Sequence, residues 1–132
     1  MKLNDEERQI MVSLEYEKAQ SFFEQAEKIA AMDLWDVVAN RLYYAVFHAV
    51  SALLIKDGHK VSTHKGTLVM FGQNYVKTGI FPTDASKLYV KLQMMREESD
   101  YNCVYVTTAD EMQPLFEPVR EFIAKIGNLI KE

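Results

Sequence analysis

The sequence has little that would mark a secreted, membrane-embedded or disulfide-stabilised protein. Its 132 residues include one cysteine, Cys103, which excludes an internal disulfide framework and is typical of a reducing cytosol. The first eight residues, MKLNDEER, lack the apolar core of a signal peptide. The longest nearly uncharged apolar stretch, residues 43–55, contains His48 and Ser51 and is too short to span a bilayer. We therefore expect a cytoplasmic protein without a membrane segment.

Basic residues are also in deficit. The 15 lysines and arginines face 19 acidic residues, and this net charge of −4 argues against a general affinity for nucleic acid. Basic side chains nevertheless concentrate in residues 56–77, where His64 and Lys65 are candidate contacts to phosphate or RNA. The alternative for this segment is a solvated basic loop. His59 and His64 lack a convincing third ligand, so we expect neither a metal site nor a bound cofactor.

What the sequence does contain predicts one all-α domain. Apolar residues make up 48% of the chain, enough for a core without a disulfide or structural metal, and we assign residues 1–132 to a single domain. Asn4 and Asp33 are the expected N-caps of the first two helices. Thr108 and Glu111 fit a capping box, and residues 103–107 are expected to form an extended connection. The predicted helices cover residues 4–31, 33–58, 64–77, 83–101 and 118–129, forming an antiparallel four- to five-helix bundle.

The second predicted helix is apolar on both of its sides. One side carries Arg41 together with Leu34, Val37, Val38, Ala45, Ala52 and Ile55. The opposite side carries Trp35, Leu42, Val46, Val50 and Leu53. A helix that is apolar all round needs burial all round, whereas a bundle this small normally covers one stripe of each helix. We therefore expect a homodimer that forms through the second helix.

Arg41 and His48 are the strongest candidates for chemistry. They lie seven residues apart, almost two helical turns, so they should project from one face with Tyr44 between them. A histidine can take the proton of a ribose 2′-hydroxyl or protonate the leaving oxygen, and an arginine can neutralise charge on the phosphoryl group. Such a site needs no metal. The alternative is a core histidine beside an arginine that pairs with Asp36 or Asp100.

Further polar residues could support this site or stabilise the bundle. Tyr44 and Asn40 are candidate support for the pair, although an interface aromatic with a satisfied hydroxyl is the more ordinary role for Tyr44. Arg96 and Asp100 lie one helical turn apart and are expected to form a structural ion pair.

Residues 40–54, NRLYYAVFHAVSALL, resemble the signature helix of the HEPN superfamily, most closely its small bacterial branch that accompanies minimal nucleotidyltransferases. The segments KTG at 77–79 and REESDY at 96–101 are similar to later parts of that branch, so the resemblance spans about residues 16–130. It implies a bundle that dimerises through the motif helices. It also implies a composite, metal-independent ribonuclease site built from Arg41 and His48 of both subunits.

The resemblance implies an endoribonuclease toxin whose antitoxin is a nucleotidyltransferase. Leu42 stands where active family members often carry a polar residue. Ala49 and Val50 follow His48, where related toxins can carry a tyrosine that the partner adenylylates, so we do not expect that regulation here. Leu42 and the acidic net charge favour an alternative function, a non-catalytic module that binds a nucleotide or docks onto a nucleotidyltransferase. A third interpretation is a structural dimer in which Arg41 and His48 only fix the subunit register.

Overall fold

The computed structural model describes residues 2–60 and 62–132, and within these ranges the chain forms helices and connections with no β-strand. The helices are α1 (Asp5–Ala30), α2 (Trp35–Lys56), α3 (His64–Phe71), α4 (Thr83–Tyr101), α5 (Ala109–Met112) and α6 (Phe116–Ile130). A π-helical turn, Gly72–Val76, continues α3, and a 3₁₀ turn, Gln113–Leu115, joins α5 to α6. The predicted all-α bundle is confirmed.

Two predicted helix caps, Asn4 and Thr108, position the starts of α1 and α5, and the first of them forms a full capping box. The Asn4 side chain accepts a hydrogen bond from the Glu7 backbone at 2.8 Å, while the Glu7 carboxylate accepts one from the Asn4 backbone at 3.0 Å. The Thr108 hydroxyl accepts from the Glu111 backbone at 3.3 Å. These bonds satisfy N–H groups that have no partner within the helix, which is why the helices begin there.

The turn between α1 and α2 differs from its prediction. Asp33 is not the N-cap of α2: its φ is +60°, and the helix begins after Leu34, which makes no side-chain capping bond. The left-handed region is sparsely populated by non-glycine residues, but aspartate is among those that tolerate it. Asp33 therefore closes the tight turn that reverses the chain, instead of capping the next helix.

The last helix begins earlier than its most regular predicted part. α6 starts at Phe116, so Pro118 is its third residue. A proline is tolerated there because the first backbone N–H groups of a helix have no acceptor within the helix. The irregular stretch expected before the regular part of this helix takes the form of α5 and the 3₁₀ turn, which precede α6.

Helix α2 is the central helix, packed against α1, α3, α4 and α6. Among the described residues it is the one helix long and apolar enough to cross a membrane, but most of that stretch is buried inside the bundle. The sequence predicts that the second apolar side of this helix needs a partner subunit to cover it. That expectation is wrong for most of this side. Val38, Ala45 and Ala52, which share the side of Arg41, are already fully buried within one chain.

A narrower face of α2 remains open. This face, here called the α2 strip, consists of Leu34, Val37, Arg41, Tyr44 and His48, which recur at helical spacing. Leu34 and Val37 are 46% and 38% exposed, and the other three side chains are partly buried. Dimerisation through α2 stays a prediction, and the α2 strip is the surface on which it now depends.

Candidate functional site

Helix α1 supplies an aromatic ring against which both candidate residues of α2 lie. The Arg41 guanidinium carbon is 5.0 Å from the centre of the Phe22 ring, and the His48 ring centre is 5.4 Å from it. The Tyr44 ring lies 6.3 Å from Phe22 and 6.2 Å from His48. The seven-residue spacing therefore brings Arg41, Tyr44 and His48 to one half-buried surface, as the helical period predicts.

Arg41 has no acidic partner among the described residues, and its buried Nε makes no hydrogen bond. The two acids considered as its partners are engaged elsewhere. Asp36 accepts hydrogen bonds from the backbone and hydroxyl of Thr107, and Asp100 lies 3.7 Å from Arg96. The guanidinium therefore faces no carboxylate that would compete with a ligand, and its planar set of N–H donors is suited to a phosphate group.

His48 is oriented by Glu15 of α1. Its Nδ1 lies 2.6 Å from the Glu15 carboxylate, and the two side chains are only 14% and 23% exposed. The carboxylate accepts the Nδ1 proton, which leaves Nε2 as the atom that can take or give a proton. Within the described ranges Nε2 has no hydrogen-bond partner in the protein.

Glu15 and Phe22 were not predicted as site residues, although the sequence carries a signal for them. The two residues lie seven positions apart on α1, the same interval that separates Arg41 from His48 on α2. Helices α1 and α2 form the most extensive contact in the bundle and are joined by a tight turn, so their matching faces meet. Two equal intervals on consecutive helices could have predicted a four-residue cluster.

His64, the first residue of α3, joins the same surface. Its ring stacks on Phe47 with centres 4.6 Å apart and lies 5.7 Å from the ring of Tyr44. Its Nδ1 is 2.7 Å from the hydroxyl of Tyr43, whose side chain is fully buried. Lys65, the other predicted phosphate contact of this segment, is exposed and makes no side-chain hydrogen bond or ion pair with the described residues.

The protonation of this second imidazole is set by its surroundings. Burial lowers the pKa of His64 below its ordinary value, and the nearby charges of Arg96 and His48 lower it further. Burial likewise raises the pKa of the Tyr43 hydroxyl to about 12, so that hydroxyl keeps its proton at neutral pH. His64 is therefore a neutral imidazole beside a protonated tyrosine at neutral pH.

Arg96 contacts two aromatic rings in addition to forming the ion pair expected for it. The guanidinium carbon lies 4.9 Å from the Tyr43 ring centre and 5.7 Å from that of Tyr44, and its Nε has no hydrogen-bond partner in the described part of the chain. Its separation from Asp100 is 3.7 Å, a long ion pair. Asn40, four residues before Tyr44, is partly buried, and its side chain hydrogen-bonds to none of the described residues.

The site as a whole combines two guanidinium groups, two imidazoles and one orienting carboxylate around aromatic rings. A cleft of about 290 Å³ opens beside it. That cleft is lined by Met11, Glu15, Phe47, Ser51, Ile55, Ser62, Thr63 and His64. In residues 2–60 and 62–132 no three His, Cys, Asp or Glu side chains are grouped to bind a metal ion. The arrangement can hold an anion and transfer a proton with protein groups alone.

Comparison with known proteins places this arrangement in a family. The HEPN domain model matches residues 12–129, a range that contains the site residues described above. A UPF0332 protein of Archaeoglobus fulgidus is 29% identical over 121 residues, which cover 92% of this chain and 96% of that protein. A UPF0332 protein of Thermotoga maritima is 32% identical over 93 residues, 70% of each chain. A protein of Methanocaldococcus jannaschii named "Putative toxin" is 26% identical over 109 residues, 83% of this chain and 74% of that protein. The family match extends over nearly the whole helical bundle, and the chain belongs to the HEPN family.

Proposed function

We propose that the chain is a metal-independent endoribonuclease toxin in which Arg41 and His48 form the reacting centre. One observation carries the proposal. On the open α2 strip, a guanidinium without an acidic partner among the described residues and an imidazole oriented by Glu15 lie against the same ring, Phe22. A phosphodiester needs these two functions together, a fixed positive charge and a group that transfers protons near neutral pH.

The reaction uses a nucleophile that RNA itself supplies. His48 Nε2 takes the proton from a ribose 2′-hydroxyl, and that oxygen attacks the adjacent phosphorus. The bond from phosphorus to the 5′-oxygen breaks, and the leaving oxygen takes a proton from an imidazolium. The products are a 2′,3′-cyclic phosphate and a free 5′-hydroxyl. Arg41 stabilises the charge that develops on the phosphoryl oxygens.

A homodimer formed through the α2 strip would bring two copies of each residue to one cleft. One His48 then acts as the base and the other as the acid, so both proton transfers are accounted for. The exposed Leu34 and Val37 would supply apolar contact at one end of the strip. The position of the strip and the family resemblance support this assembly.

The biological role proposed is that of a cytoplasmic toxin controlled by a nucleotidyltransferase antitoxin. The names of two relatives of Methanocaldococcus jannaschii, both "Putative toxin", support the first part. The nucleotidyltransferase partner rests on the resemblance of residues 40–54 and 96–101 to the branch that accompanies such enzymes. Expression of the chain should arrest growth, and co-expression of a nucleotidyltransferase encoded beside it should relieve the arrest.

The chemistry is tested with one RNA and its 2′-O-methyl copy, both incubated with the purified chain in EDTA. Cleavage of the RNA alone, with 2′,3′-cyclic phosphate ends, is the expected result. Equal cleavage of both substrates would exclude the 2′-hydroxyl as nucleophile. Loss of all cleavage in EDTA, with recovery on adding a divalent cation, would contradict the metal-independent mechanism.

A second candidate function is favoured by Leu42. This residue, which follows Arg41 in the motif, is fully buried, so that position contributes no polar group to the cleft. The site would then hold a nucleotide, or dock onto a nucleotidyltransferase, without cleaving RNA. Saturable nucleotide binding that is lost in Arg41→Ala, together with no RNA turnover by the wild type, would favour this second function.

A further inference from the structure

The two histidines of the site are held in opposite ways around one aromatic pair. The Phe47 ring centre lies 5.2 Å from that of His48 and 4.6 Å from that of His64. The Tyr44 ring centre lies 6.2 Å and 5.7 Å from the same two imidazoles. His48 has a carboxylate at its Nδ1, whereas His64 has the hydroxyl of Tyr43 at its Nδ1. The Glu15 carboxylate can only accept a hydrogen bond from Nδ1, whereas the Tyr43 hydroxyl can also donate one.

The direction of the Tyr43–His64 hydrogen bond follows from the neighbours of the hydroxyl. The charged group closest to the Tyr43 ring is the Arg96 guanidinium, which has donors and no acceptor. Among the described residues, His64 Nδ1 is the acceptor that the buried hydroxyl reaches. A buried donor without an acceptor is costly, so Tyr43 donates its proton to Nδ1. Because Nδ1 is then unprotonated, the neutral ring carries its proton on Nε2.

The other nitrogen of the His64 ring, Nε2, has no hydrogen-bond partner among the described residues. In an imidazole the two nitrogens lie on opposite sides, so the edge that carries Nε2 points away from the buried Tyr43. His64 lines the 290 Å³ cleft that also contains Glu15, the residue that orients His48. His64 therefore brings a neutral N–H donor to the wall of this cleft. His48 does not line the cleft itself, but it is held by Glu15, which does.

We propose that His64 is a second substrate-binding residue of this site, which donates its Nε2 hydrogen to a phosphoryl oxygen and is positioned by Tyr43. The choice of a phosphoryl group as the bound anion rests on the function proposed above, whereas the tautomer assigned to His64 does not. The pKa of His64 supports this role. Burial lowers it first, Arg96 and His48 lower it further, and Glu97 acts in the opposite direction. A neutral imidazole donates a hydrogen bond without giving up its proton, so His64 acts as an electrostatic stabiliser and His48 as the acid and base.

The tautomer is tested directly by long-range ¹H–¹⁵N spectra of the full chain, which contains only three histidines. At neutral pH the spectra should show His64 protonated on Nε2. Tyr43→Phe should shift the Nδ1 signal of His64 and leave that of His59 unchanged. Addition of uridine 3′-monophosphate should shift the His64 Nε2 signal in the wild type. A proton on Nδ1 of His64, or no response of His64 to the nucleotide, would overturn the proposal.

RNA cleavage gives a second readout with a matched set of variants. His64→Gln keeps an N–H donor, whereas His64→Ala removes it, and His59→Ala serves as the control outside the site. We expect His64→Ala to lower the cleavage rate about 100-fold, His64→Gln to retain most of the activity, and His59→Ala to change nothing. The loss in His64→Ala should be the same at about pH 7 and about pH 9, because a neutral donor does not titrate there.

The outcomes separate this inference from the function on which it rests. If the wild type cleaves RNA and His64→Ala cleaves it at the same rate, only the role of His64 is contradicted, and the proposed function stands. A contribution of His64 that fades as the pH rises would mean that it acts as a cation, contrary to the proposal. If the wild type cleaves no RNA, the proposed function fails, and the tautomer and nucleotide-binding results still decide the assignment of His64.

Discussion

Two aromatic clusters in this bundle use similar ring packing for different ends. The core cluster consists of Phe71, Phe81, Tyr89 and Phe122. The site cluster consists of Phe22, Tyr44, Phe47, His48 and His64. Contacting ring centres are 5.1–6.4 Å apart in the first cluster and 4.6–6.3 Å apart in the second. The core rings are buried, whereas every ring of the site cluster is only partly buried.

The difference shows how one packing geometry serves both stability and binding. In the core cluster the buried ring area is itself the gain, because apolar surface leaves water. In the site cluster the rings hold two imidazoles and a guanidinium in fixed positions at an open surface. Substitutions in the first cluster should therefore change stability, and substitutions in the second should change binding and catalysis.

The largest expected effect separates the clusters by stability. Phe71→Ala removes a fully buried ring and should lower the free energy of unfolding by about 3–5 kcal/mol, through lost burial and the cavity left behind. Phe22→Ala, at a partly exposed ring, should cost about 1 kcal/mol while reducing RNA cleavage. Urea unfolding of the two variants measures both values. Equal losses of stability would contradict the distinction between the clusters.

The next effect concerns the positive charge of the site. Arg41→Ala should reduce RNA cleavage by about 100- to 1,000-fold, because it removes the group that stabilises the phosphoryl charge. Arg120 provides a matched control, since its guanidinium also lies over a phenylalanine ring, 4.9 Å from Phe23, but pairs with Glu27 and Glu117. Arg120→Ala should leave the cleavage rate unchanged. A comparable loss in both variants would indicate a general charge effect.

A smaller effect is expected at the residue that orients His48. Glu15→Gln keeps the size of the side chain but replaces the carboxylate that accepts the Nδ1 proton. The glutamine amide oxygen can still accept the Nδ1 hydrogen, but the negative charge that stabilises the imidazolium is lost, so kcat should fall about 10- to 100-fold. The Nδ1 signal of His48 in ¹⁵N spectra should shift in the same variant. An unchanged kcat together with a shifted signal would show that the negative charge of Glu15 is irrelevant to the reaction.

The smallest effect is a pH dependence of stability that involves His64. Its pKa in the folded chain is lowered from an ordinary 6.5, so the unfolded chain binds a proton there more readily. The stabilisation is fully present above the unfolded pKa and is lost as the pH falls through 6.5 toward the lower folded pKa. His64→Gln cannot titrate, so it should lose less stability than the wild type between about pH 7 and about pH 5. An identical pH profile for wild type and variant would contradict the assigned direction.

Features encoded within one helix could be predicted from the sequence. The spacing of Arg41 and His48 predicted their shared face, and the side chains of Asn4 and Thr108 predicted two helix starts. These features depend on hydrogen bonds and periodicity over a few residues, which the sequence displays directly. Asp33 failed as a cap prediction because aspartate suits both an N-cap and a left-handed turn, and the loop geometry selected the turn.

Features that depend on packing between helices were harder to predict. The partners of His48 and His64, Glu15 and Tyr43, lie 33 and 21 residues away along the chain. Arg96 reaches the site from α4, and no local pattern indicates which helix face it meets. The burial of α2 was underestimated for the same reason, since its apolar faces are covered by helices from both ends of the sequence.

The central claim is that the open aromatic cluster around Arg41 and His48 cleaves RNA. Its most direct test is the rate at which the wild type and His48→Ala cleave the same RNA in EDTA at neutral pH. The variant should be slower by about 100- to 10,000-fold, because it lacks the group that transfers the protons. Urea unfolding should show that both proteins are folded under the assay conditions, a necessary control because the His48 side chain is only 14% exposed and contacts Glu15. Equal cleavage by the two folded proteins would contradict the account.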